Sequence, residues 1–534
     1  MAVPITLVQH DFLVGAVQRN VDCVIQCAEN AARDGSKLVV FPEMTLTGYP
    51  AEDLWLRPSL RAAVEEGKAQ LIARLPQTVT AVVGYPVWEG SRCFNAAGVF
   101  QNGECILEYK KRCLPNYDVF DEHRYFEAGN GDGLFEVDGH TFGLLICEDL
   151  WEPEPLSSTV ANGAKCIVTM NASPFHANKW RDREHMVQAR ARDHKVSIVY
   201  LNGVGGQDEL VFDGASFVVS AEGNTVVRLP HFQSTMVQWQ PTNQAPLVAD
   251  PMSDEAAIWA ALVTGVRDYV EKNGFPSVVL GLSGGIDSAV TLAVAVDALG
   301  PERVTAVMMP YAYTSAMSIE DAAAQGRSMG VHYEVIPIET MVSAFMAALH
   351  SQFEGTERDT TEENLQARCR GVALMALSNK TGALVLTTGN KSENAVGYAT
   401  LYGDMAGGFN VLKDVPKTWV YRLANYRNQL GESIIPQRVI DRPPSAELAP
   451  DQVDQDSLPD YDVLDGILER YVERDEGVGT IVQAGYDRAT VLKVIKMVDR
   501  NEYKRRQAPV GVRITPRAFG RDRRYPITSG WVHE

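Results

Sequence analysis

The stretch SVVLGLSGGIDS at residues 277–288 decides the fold of the second half of this 534-residue chain. Its first part, residues 277–282, is apolar and predicts a buried strand, and an apolar helix is expected at residues 288–299 after a glycine turn. The next apolar run, residues 304–309, predicts another strand. A strand, a helix and a strand of these lengths form a βαβ unit, which indicates a parallel sheet that binds ligands where its strands end.

The turn Ser283-Gly284-Gly285-Ile286-Asp287-Ser288 carries groups that suit a nucleotide. Adjacent glycines let backbone amides approach an anion, and the helix N-terminus adds its positive end. Ser283 and Ser288 offer hydroxyls, and Asp287 can hold Mg²⁺. The chain has no GxxxxGK[ST] motif, which excludes the usual γ-phosphate loop of kinases and GTPases. A plain turn would explain a bare SGG, but the complete SGGxDS after an apolar strand favours a nucleotide site.

A second strand end follows downstream, where the apolar run 384–388 leads into Gly389-Asn390-Lys391-Ser392-Glu393. A carboxylate at that edge could share a metal ion with Asp287. The alternative is a helix cap with Glu393 in the first helical turn, and the two interpretations are compatible.

The first half of the chain alternates buried runs with amphipathic helices, which predicts a layered α/β domain. The predicted strands are residues 37–41, 79–83, 141–146, 166–170 and 197–201, and the predicted helices are 21–32 and 181–193. Prolines among polar residues at 238–252 mark a connector. A helix restarts with Ile258, Leu262, Val266 and Val270 on one face and ends near Gly274. We therefore expect two domains, residues 1–245 and 246–534.

The bulk composition excludes several classes of protein. A single core stops growing near roughly 250–300 residues, so two domains are also expected from length alone. The net charge of −19 argues against a general nucleic-acid binder. The eight cysteines are scattered without CxxC pairs, and neither a secretory signal nor an apolar membrane span is evident. We expect a reduced, cytoplasmic protein.

Three side chains on separate strand ends suggest thiol chemistry: Glu43, Lys111 and Cys147. Each alone has an ordinary explanation, as a capping glutamate, a surface lysine or a core cysteine. Together they can cleave an amide, because a glutamate can take the thiol proton, the thiolate can attack the carbonyl carbon, and a lysine can stabilise the oxyanion. Lys110 is adjacent to Lys111, and the tyrosine two residues before Lys111 favours Lys111 for this role.

The motifs FPE, YxKxxLP and CED, in that order, resemble those of the nitrilase superfamily of carbon–nitrogen hydrolases. SGGxDS resembles the signature of the ATP pyrophosphatases, which cleave ATP between its α- and β-phosphates. The two halves in one chain are similar to the glutamine-dependent NAD synthetases. The resemblance implies an N-terminal nitrilase-like α-β-β-α sandwich and a C-terminal Rossmann-like parallel-sheet ATP pyrophosphatase domain.

The resemblance also implies roles for individual residues. Cys147 would form a γ-glutamyl thioester, with Glu43 and Lys111 completing the catalytic triad. The residues implied to bind glutamine are Tyr117, Ser173 and Lys179, with the lysine on the α-carboxylate. Those implied to bind ATP are Gly281, Leu282, Ser283, Gly284, Gly285, Ile286, Asp287, Ser288 and Thr388.

Two further sets of roles follow from the same resemblance. Asp287 and Glu393 would lie near Mg²⁺. The residues implied to contact the nicotinate dinucleotide or its adenylate are Asn364, Arg368, Glu393, Asp404, Lys417 and Lys504. The small-molecule substrates would be glutamine, ATP and deamido-NAD, and a homo-oligomer is implied.

The implied reaction is the ATP-driven amidation of nicotinic acid adenine dinucleotide to NAD⁺ through an adenylate. Ammonia would be made from glutamine and would need a sealed route between the domains, since protonation would stop its attack. Three other functions stay open at this point: another glutamine-dependent amidating ligase, an amidase with a nucleotide-binding domain, and a non-catalytic nucleotide sensor or scaffold.

Overall fold

The structure is a computed structural model that describes residues 3–241, 247–449 and 452–531. The chain divides into two compact units, Met1–Ser253 and Asp254–Glu534. The predicted boundary at residue 245 falls within residues 242–246, outside the described residues, so the division into 1–245 and 246–534 stays a prediction. Within the described ranges, no helix is both long enough and apolar enough to cross a membrane.

The first unit is built mainly from strands. These are β1 (Ile5–Gln9), β2 (Leu38–Val40), β3 (Thr80–Glu89), β4 (Arg92–Gln101), β5 (Glu104–Lys110), β6 (Leu134–Val137), β7 (His140–Ile146), β8 (Cys166–Asn171), β9 (Ser197–Asn202), β10 (Val204–Gln207), β11 (Leu210–Asp213), β12 (Phe217–Val219), β13 (Thr225–Arg228), β14 (Thr235–Trp239) and β15 (Leu247–Val248). Its helices are α1 (Val17–Arg33), α2 (Pro58–Arg74), α3 (Glu148–Trp151), α4 (Pro153–Ala161) and α5 (Lys179–His194), with 3₁₀ turns at Glu52–Leu56 and Glu122–Arg124. Every strand and helix predicted for this half is confirmed, with shifted ends.

Two mixed sheets face each other in this unit. Their strand orders are β14-β1-β2-β3-β4-β5 and β15-β13-β12-β9-β8-β7-β6, and β10 and β11 form a separate hairpin. Alternate residues of β2 show how the layers stack, because successive strand side chains point to opposite faces. Leu38 and Val40 pack in a core shared with the second sheet, whereas Val39 packs in a core with α1 and α2. The predicted α-β-β-α sandwich is therefore confirmed.

The second unit contains a smaller sheet and many helices. Its strands are β16 (Val278–Gly281), β17 (Val304–Met308), β18 (His332–Val335), β19 (Leu384–Thr387) and β20 (Phe409–Asn410). Its helices are α6 (Asp254–Lys272), α7 (Ile286–Leu299), α8 (Ala316–Ser328), α9 (Glu339–Ala348), α10 (His350–Phe353), α11 (Thr360–Thr381), α12 (Lys391–Val396), α13 (Lys417–Gln429), α14 (Gln437–Asp441), α15 (Tyr461–Leu468), α16 (Val478–Gln483), α17 (Arg488–Arg500) and α18 (Glu502–Arg505). It also has 3₁₀ turns at Pro301–Arg303 and Asp454–Asp456 and a π-helical turn at Glu469–Glu473.

The sheet of the second unit is parallel throughout, in the order β18-β17-β16-β19-β20. β16 lies between β17 and β19, so its carboxyl end is the centre of the sheet edge. The predicted βαβ unit is confirmed, but α7 begins at Ile286 and not at Ser288. The reason is that Gly285, with an extended backbone, is already the N-cap, which places Asp287 and Ser288 in the first helical turn.

Gly284 in the turn between β16 and α7 cannot be replaced without strain. Its φ of +80° lies in the left-handed region, and an added Cβ would meet the carbonyl oxygen of Ser318 at 2.3 Å. Both the backbone conformation and the close approach require glycine. Arg442 also donates a hydrogen bond to the carbonyl of Gly284, so a side chain distant in sequence stabilises this turn as well.

We predict that Gly284→Ala destabilises the second unit by at least about 2 kcal/mol, because strain and a backbone clash add. Thermal unfolding measures the loss. Gly479→Ala is the matched control, since nothing lies within 4 Å of a Cβ there. Equal melting temperatures for the two variants would contradict the close packing of the turn.

A buried ion pair ties α5 to β11 in the first unit. The guanidinium of Arg183 donates to the Asp213 carboxylate, and both side chains are almost fully buried. Burial by itself raises the pKa of the Asp213 carboxyl, but the positive charge of Arg183, together with hydrogen bonds from His231 and Arg183, outweighs it and brings the pKa to about 2. The folded pKa is thus below that of an unfolded aspartate, so the pair stabilises the fold above about pH 4 and loses this contribution as pH falls toward 2.

We predict that Asp213→Asn costs more stability at pH 6 than at pH 2.5, by about 2 kcal/mol from the pKa difference. Urea unfolding at a series of pH values measures the two free energies. The exposed Asp193 on α5, the helix that carries Arg183, supplies the control, and Asp193→Asn should cost little stability. A cost for Asp213→Asn that is constant across this range would refute the linkage.

Candidate functional site

Cys147 stands at the sharp turn between β7 and α3. Its φ of +46° is unusual for a residue with a side chain, so the backbone is strained where the thiol is presented. The amide of Cys147 donates to the carbonyl of Met170 at 2.9 Å, and the Leu150 amide donates to the carbonyl of Cys147 at 3.0 Å. These bonds on both sides hold the strained turn in place. The thiol itself is buried.

Glu43 and Lys111 meet at the ends of two strands of the first sheet. Glu43 follows β2, Lys111 follows β5, and the Lys111 Nζ lies 2.9 Å from a Glu43 carboxylate oxygen. Glu43 also accepts from the Asn95 side chain at 2.7 Å and from the Ala172 amide at 2.9 Å. Because Lys110 points to the exposed Glu89, the buried lysine is Lys111, as the motif register predicts.

The electrostatics of these groups fit a thiol with an adjacent base. Burial raises the pKa of the Cys147 thiol, the Glu43 charge raises it further, and the Lys111 charge opposes the rise. Burial alone would lower the pKa of Lys111, but Glu122 and Glu43 more than compensate and keep it a cation. The resting thiol is therefore protonated, and it needs a base in contact when it attacks. Glu43 can supply that base and Lys111 can supply a fixed positive charge.

Glu122 is a member of this cluster that the sequence interpretation missed. Its carboxylate lies 2.9 Å from the Lys111 Nζ and accepts from the Tyr49 hydroxyl at 3.1 Å. Burial raises its pKa to about 7. The only signal in the sequence is its place in the stretch 114–122, and a glutamate followed by His123 and Arg124 resembles ordinary surface.

The residues predicted to bind glutamine lie beside the thiol turn. The hydroxyl of Tyr117 donates to Glu148 at 3.0 Å, and the ammonium of Lys179 lies 4.5 Å from the ring centroid of Trp151. Ser173 follows Ala172, and its amide donates to the Asn202 side chain at 2.9 Å. Since Glu148 and Trp151 belong to the helix that follows Cys147, the fold brings Tyr117 and Lys179 to its neighbourhood. Ser173 is next to Ala172, whose amide donates to Glu43.

In the second unit, the predicted ATP loop is held by its own side chains. The Ser288 hydroxyl accepts from the Ser283 amide at 3.2 Å and donates to the Gly285 carbonyl at 2.9 Å. The Ser283 hydroxyl accepts from the Gly285 amide at 3.2 Å. Leu282 and Ile286 have buried side chains, so they would offer a ligand only their backbone. Gly281 ends β16 and Thr388 follows β19, so both stand at the same sheet edge.

Asp287 and Glu393 converge on a single buried lysine. The Nζ of Lys417 lies 2.5 Å from Asp287 and 3.0 Å from Glu393. Asn390 caps α12 by accepting from the Glu393 amide at 2.9 Å and donates to Asp287 at 2.8 Å. The cap and the shared carboxylate site therefore coexist. Burial raises the pKa of the Glu393 carboxyl to about 8, and Asp287 adds to the rise although Lys417 opposes it.

The donors at this edge suit Mg²⁺ bound together with a nucleotide. Among the described residues, no group of three or more His, Cys, Asp and Glu side chains is arranged to hold a metal ion. Mg²⁺ is commonly bound through one or two carboxylates, with phosphate oxygens and water completing its shell. Asp287 and Glu393 are such a pair, and the ammonium of Lys417 already marks the place where a positive charge is stabilised.

The residues predicted for the nicotinate dinucleotide fall into two groups. Glu393 and Lys417 are at the Asp287 cluster. The other four gather around the segment 397–404, through contacts with its backbone or with Thr400. These are Asn364 to the Thr400 hydroxyl at 2.8 Å, Arg368 to the Leu401 carbonyl at 3.2 Å, Asp404 to the Thr400 amide at 2.7 Å, and Lys504 to the carbonyls of Gly397 and Ala399 at 2.8 Å.

Two family profiles together match nearly the whole chain. The carbon–nitrogen hydrolase family matches residues 5–240, and the NAD synthase family matches residues 258–508. The first match contains Glu43, Lys111 and Cys147, and the second contains Asp287, Glu393 and Lys417.

Relatives that align over their full length also combine these two domains in one chain. A glutamine-dependent NAD(+) synthetase from Acinetobacter baylyi is 47% identical over 99% of this chain and 98% of its own. One from Xanthomonas campestris pv. campestris is 50% identical over 99% of this chain and 97% of its own.

Solved structures show the same correspondence. The glutamine-dependent NAD+ synthetase from Acinetobacter baumannii, in complex with adenosine diphosphate, is 46% identical over 100% of both chains with a TM-score of 0.81. The structure of a glutamine-dependent NAD(+) synthetase from Cytophaga hutchinsonii is 21% identical, has a TM-score of 0.87 and covers 99% of this chain and 98% of its own. At that identity it supports the fold alone. With both catalytic halves matched and close relatives aligned from end to end, this chain belongs to the family of glutamine-dependent NAD(+) synthetases.

Proposed function

We propose that this protein converts nicotinic acid adenine dinucleotide to NAD⁺, using ATP for activation and glutamine as the source of nitrogen. The observation that carries the proposal is the presence of two site geometries in one chain. Glu43, Lys111 and Cys147 form an amide-cleaving cluster in the first unit. Asp287 and Glu393 stand at the nucleotide-binding sheet edge of the second.

In the first unit, Cys147 attacks the side-chain amide of glutamine while Glu43 accepts the thiol proton. Lys111 stabilises the negative charge that develops on the carbonyl oxygen, and Glu122 keeps that lysine in position. The proton on Glu43 then passes to the leaving nitrogen, which departs as ammonia. Water releases glutamate from the γ-glutamyl thioester, with Glu43 again accepting a proton.

Recognition of glutamine is assigned to Tyr117, Ser173 and Lys179. A cation at Lys179 suits the α-carboxylate of the substrate. Burial lowers the pKa of this lysine, so an anion would be needed to complete its environment.

In the second unit, the loop from Gly281 to Ser288 and Thr388 hold ATP with its α-phosphate toward the substrate carboxylate. When bound, Mg²⁺ would neutralise phosphate charge, and Asp287 and Glu393 would hold it. Lys417, placed between these carboxylates, can contact the phosphates or the adenylate. The carboxylate becomes a good electrophile as an adenylate, ammonia displaces AMP, and pyrophosphate is the other product.

Asn364, Arg368, Asp404 and Lys504 are assigned to the dinucleotide, because they gather around one segment of the second unit. Ammonia has to travel unprotonated from the first site to the second, so we infer a route shielded from water. We also infer a cytoplasmic homo-oligomer that binds neither nucleic acid nor a membrane, in keeping with the acidic composition.

The decisive experiment supplies the purified protein with ATP, Mg²⁺, glutamine and nicotinic acid adenine dinucleotide, and detects NAD⁺ by mass. Omitting each component in turn is the control. Ammonia release without any NAD⁺ would instead favour an amidase, and amidation of another carboxylate would favour a different ligase.

We predict that Cys147→Ala abolishes NAD⁺ formation from glutamine, by at least about 1,000-fold, because no thioester can form. Formation from added ammonium should change less than about twofold. Cys93→Ala, a half-buried cysteine on β4, is the matched control and should retain both activities. Loss of both activities in a folded Cys147→Ala variant would be incompatible with two separable sites.

We predict that Asp287→Asn lowers NAD⁺ formation from glutamine and from ammonium alike, by at least about 100-fold, because the carboxylate that binds the metal is removed. Ammonia release from glutamine by the first unit should persist. The exposed Asp462 provides the control variant Asp462→Asn, for which no change is expected. Full activity of Asp287→Asn at low Mg²⁺ would rule out the assigned metal role.

A further inference from the structure

Asp149, the third residue of the CED motif, is a buried carboxylate that the amide-cleaving chemistry does not use. It lies in the short helix α3, two residues after Cys147, and it is fully buried. Four neutral donors surround the side chain, and each of its two oxygens accepts two hydrogen bonds. A carboxylate accepts about four such bonds, so this one is fully satisfied by the protein itself.

One carboxylate oxygen of Asp149 binds the chain just after the lysine of the thiol site. It accepts from the amides of Arg112 and Cys113 at 2.9 Å and 2.8 Å. These two residues directly follow Lys111, beyond the end of β5 in the first sheet. The amide of Lys111 itself donates to the carbonyl of Asn95 at 2.8 Å. The backbone of this lysine is therefore held on both sides.

The other carboxylate oxygen of Asp149 binds the chain just before the nucleophile. It accepts from the amide of Ile146 at 3.1 Å, and Ile146 is the last residue of β7 in the second sheet. The hydroxyl of Tyr109, a buried residue of β5, donates to the same oxygen at 2.8 Å. Asp149 thus joins the two facing sheets at the point where the lysine and the thiol leave them.

The electrostatics of Asp149 show that its charge depends on these contacts. Burial raises the pKa of the carboxyl, while the Cys113 amide, the Tyr109 hydroxyl and the charge of Lys111 oppose the rise. A carboxylate in a protein interior is stable only if hydrogen bonds replace its lost hydration. A shift of one strand end relative to the other would leave a buried N–H group or an acceptor oxygen unpaired, which is costly.

We propose that Asp149 is a positioning residue that fixes the separation of Lys111 and Cys147 for attack on the amide. Cleavage requires the thiolate at the carbonyl carbon and the ammonium near the oxygen of the same group. Asp149 is enclosed by the protein and reaches no substrate, so it acts through the two strand ends that it joins. This inference rests on the proposed glutaminase function and deepens it.

The test replaces Asp149 by asparagine, which has nearly the same shape but only one acceptor oxygen. If that oxygen faces Arg112 and Cys113, the NH₂ group of the side chain meets the N–H of Ile146. The reverse orientation places the NH₂ group against two amide N–H groups, so either orientation loses one side of the bridge. We expect Asp149→Asn to lower kcat for ammonia release from glutamine by about 100-fold, the effect of a displacement of roughly 1 Å.

Two further measurements separate a positioning role from damage to the glutamine site or to the whole protein. Calorimetry on Cys147→Ala, with and without Asp149→Asn, gives the dissociation constant of glutamine, which should change less than about threefold. NAD⁺ formation from added ammonium should change less than about twofold, because that reaction does not use the thiol site.

Two other variants complete the comparison. Tyr109→Phe removes one donor to Asp149 and leaves the three backbone contacts in place, so kcat should fall by only about three- to tenfold, with glutamine binding unchanged. Asp132→Asn is the matched control, because Asp132 accepts from the guanidinium of Arg112, whereas Asp149 accepts from its amide. This control should keep the wild-type kcat.

The proposal is overturned if Asp149→Asn keeps the wild-type kcat, or if glutamine binding weakens as much as kcat/KM falls. It is also overturned if Tyr109→Phe leaves kcat unchanged, a result that does not depend on the folding of Asp149→Asn. A wild-type protein that releases ammonia from glutamine but makes no NAD⁺ would contradict the proposed overall function. The loss of ammonia release in Asp149→Asn, with binding retained, would still support the positioning role.

Discussion

A buried lysine held between two carboxylates is the interaction on which both sites depend. In the first unit, Lys111 lies between Glu43 and Glu122, and in the second, Lys417 lies between Asp287 and Glu393. Moving each charge from water into the protein interior costs roughly several kcal/mol of free energy, unless hydrogen-bonding partners replace the lost hydration. The carboxylates are therefore obliged to face the lysine, and the strand ends that carry them are positioned accordingly.

The same requirement explains why the residues of both candidate sites lie where strands end. Glu43, Lys111 and Cys147 follow β2, β5 and β7, so they extend from two facing sheets toward one point. In the parallel sheet of the second unit, the ends of β16 and β19 present Asp287 and Glu393 at a common edge. The strands are apolar and tightly packed, so the polar residues that directly follow them are also held in fixed positions. Precise placement of charges thus follows from packing of the hydrophobic layers.

The central cations of the two units have different surroundings. Lys111 is closed in by Glu43, Glu122 and the protein interior, which suits a fixed charge that awaits a developing oxyanion. Lys417 stands at the nucleotide edge with carboxylates that also suit a metal ion, so its partners can change when phosphate arrives. Burial and the charge of Asp287 raise the pKa of Glu393 to about 8 although Lys417 opposes the rise, so a further cation there would favour the ionised carboxyl.

The sequence by itself predicted the strands that lead into the candidate sites and the types of residue that follow them, because both depend on local patterns. Apolar runs predict the strands, and the residues that follow them, from Glu43 to Glu393, are visible by position and type. Tertiary structure alone decided the partnerships. Glu122 reaches Lys111 only because a loop and a 3₁₀ turn fold back on the strand end, and Lys417 meets Asp287 across a separation of 130 residues. Such contacts have no periodicity to reveal them, since they are selected by the cost of leaving a buried charge unpaired.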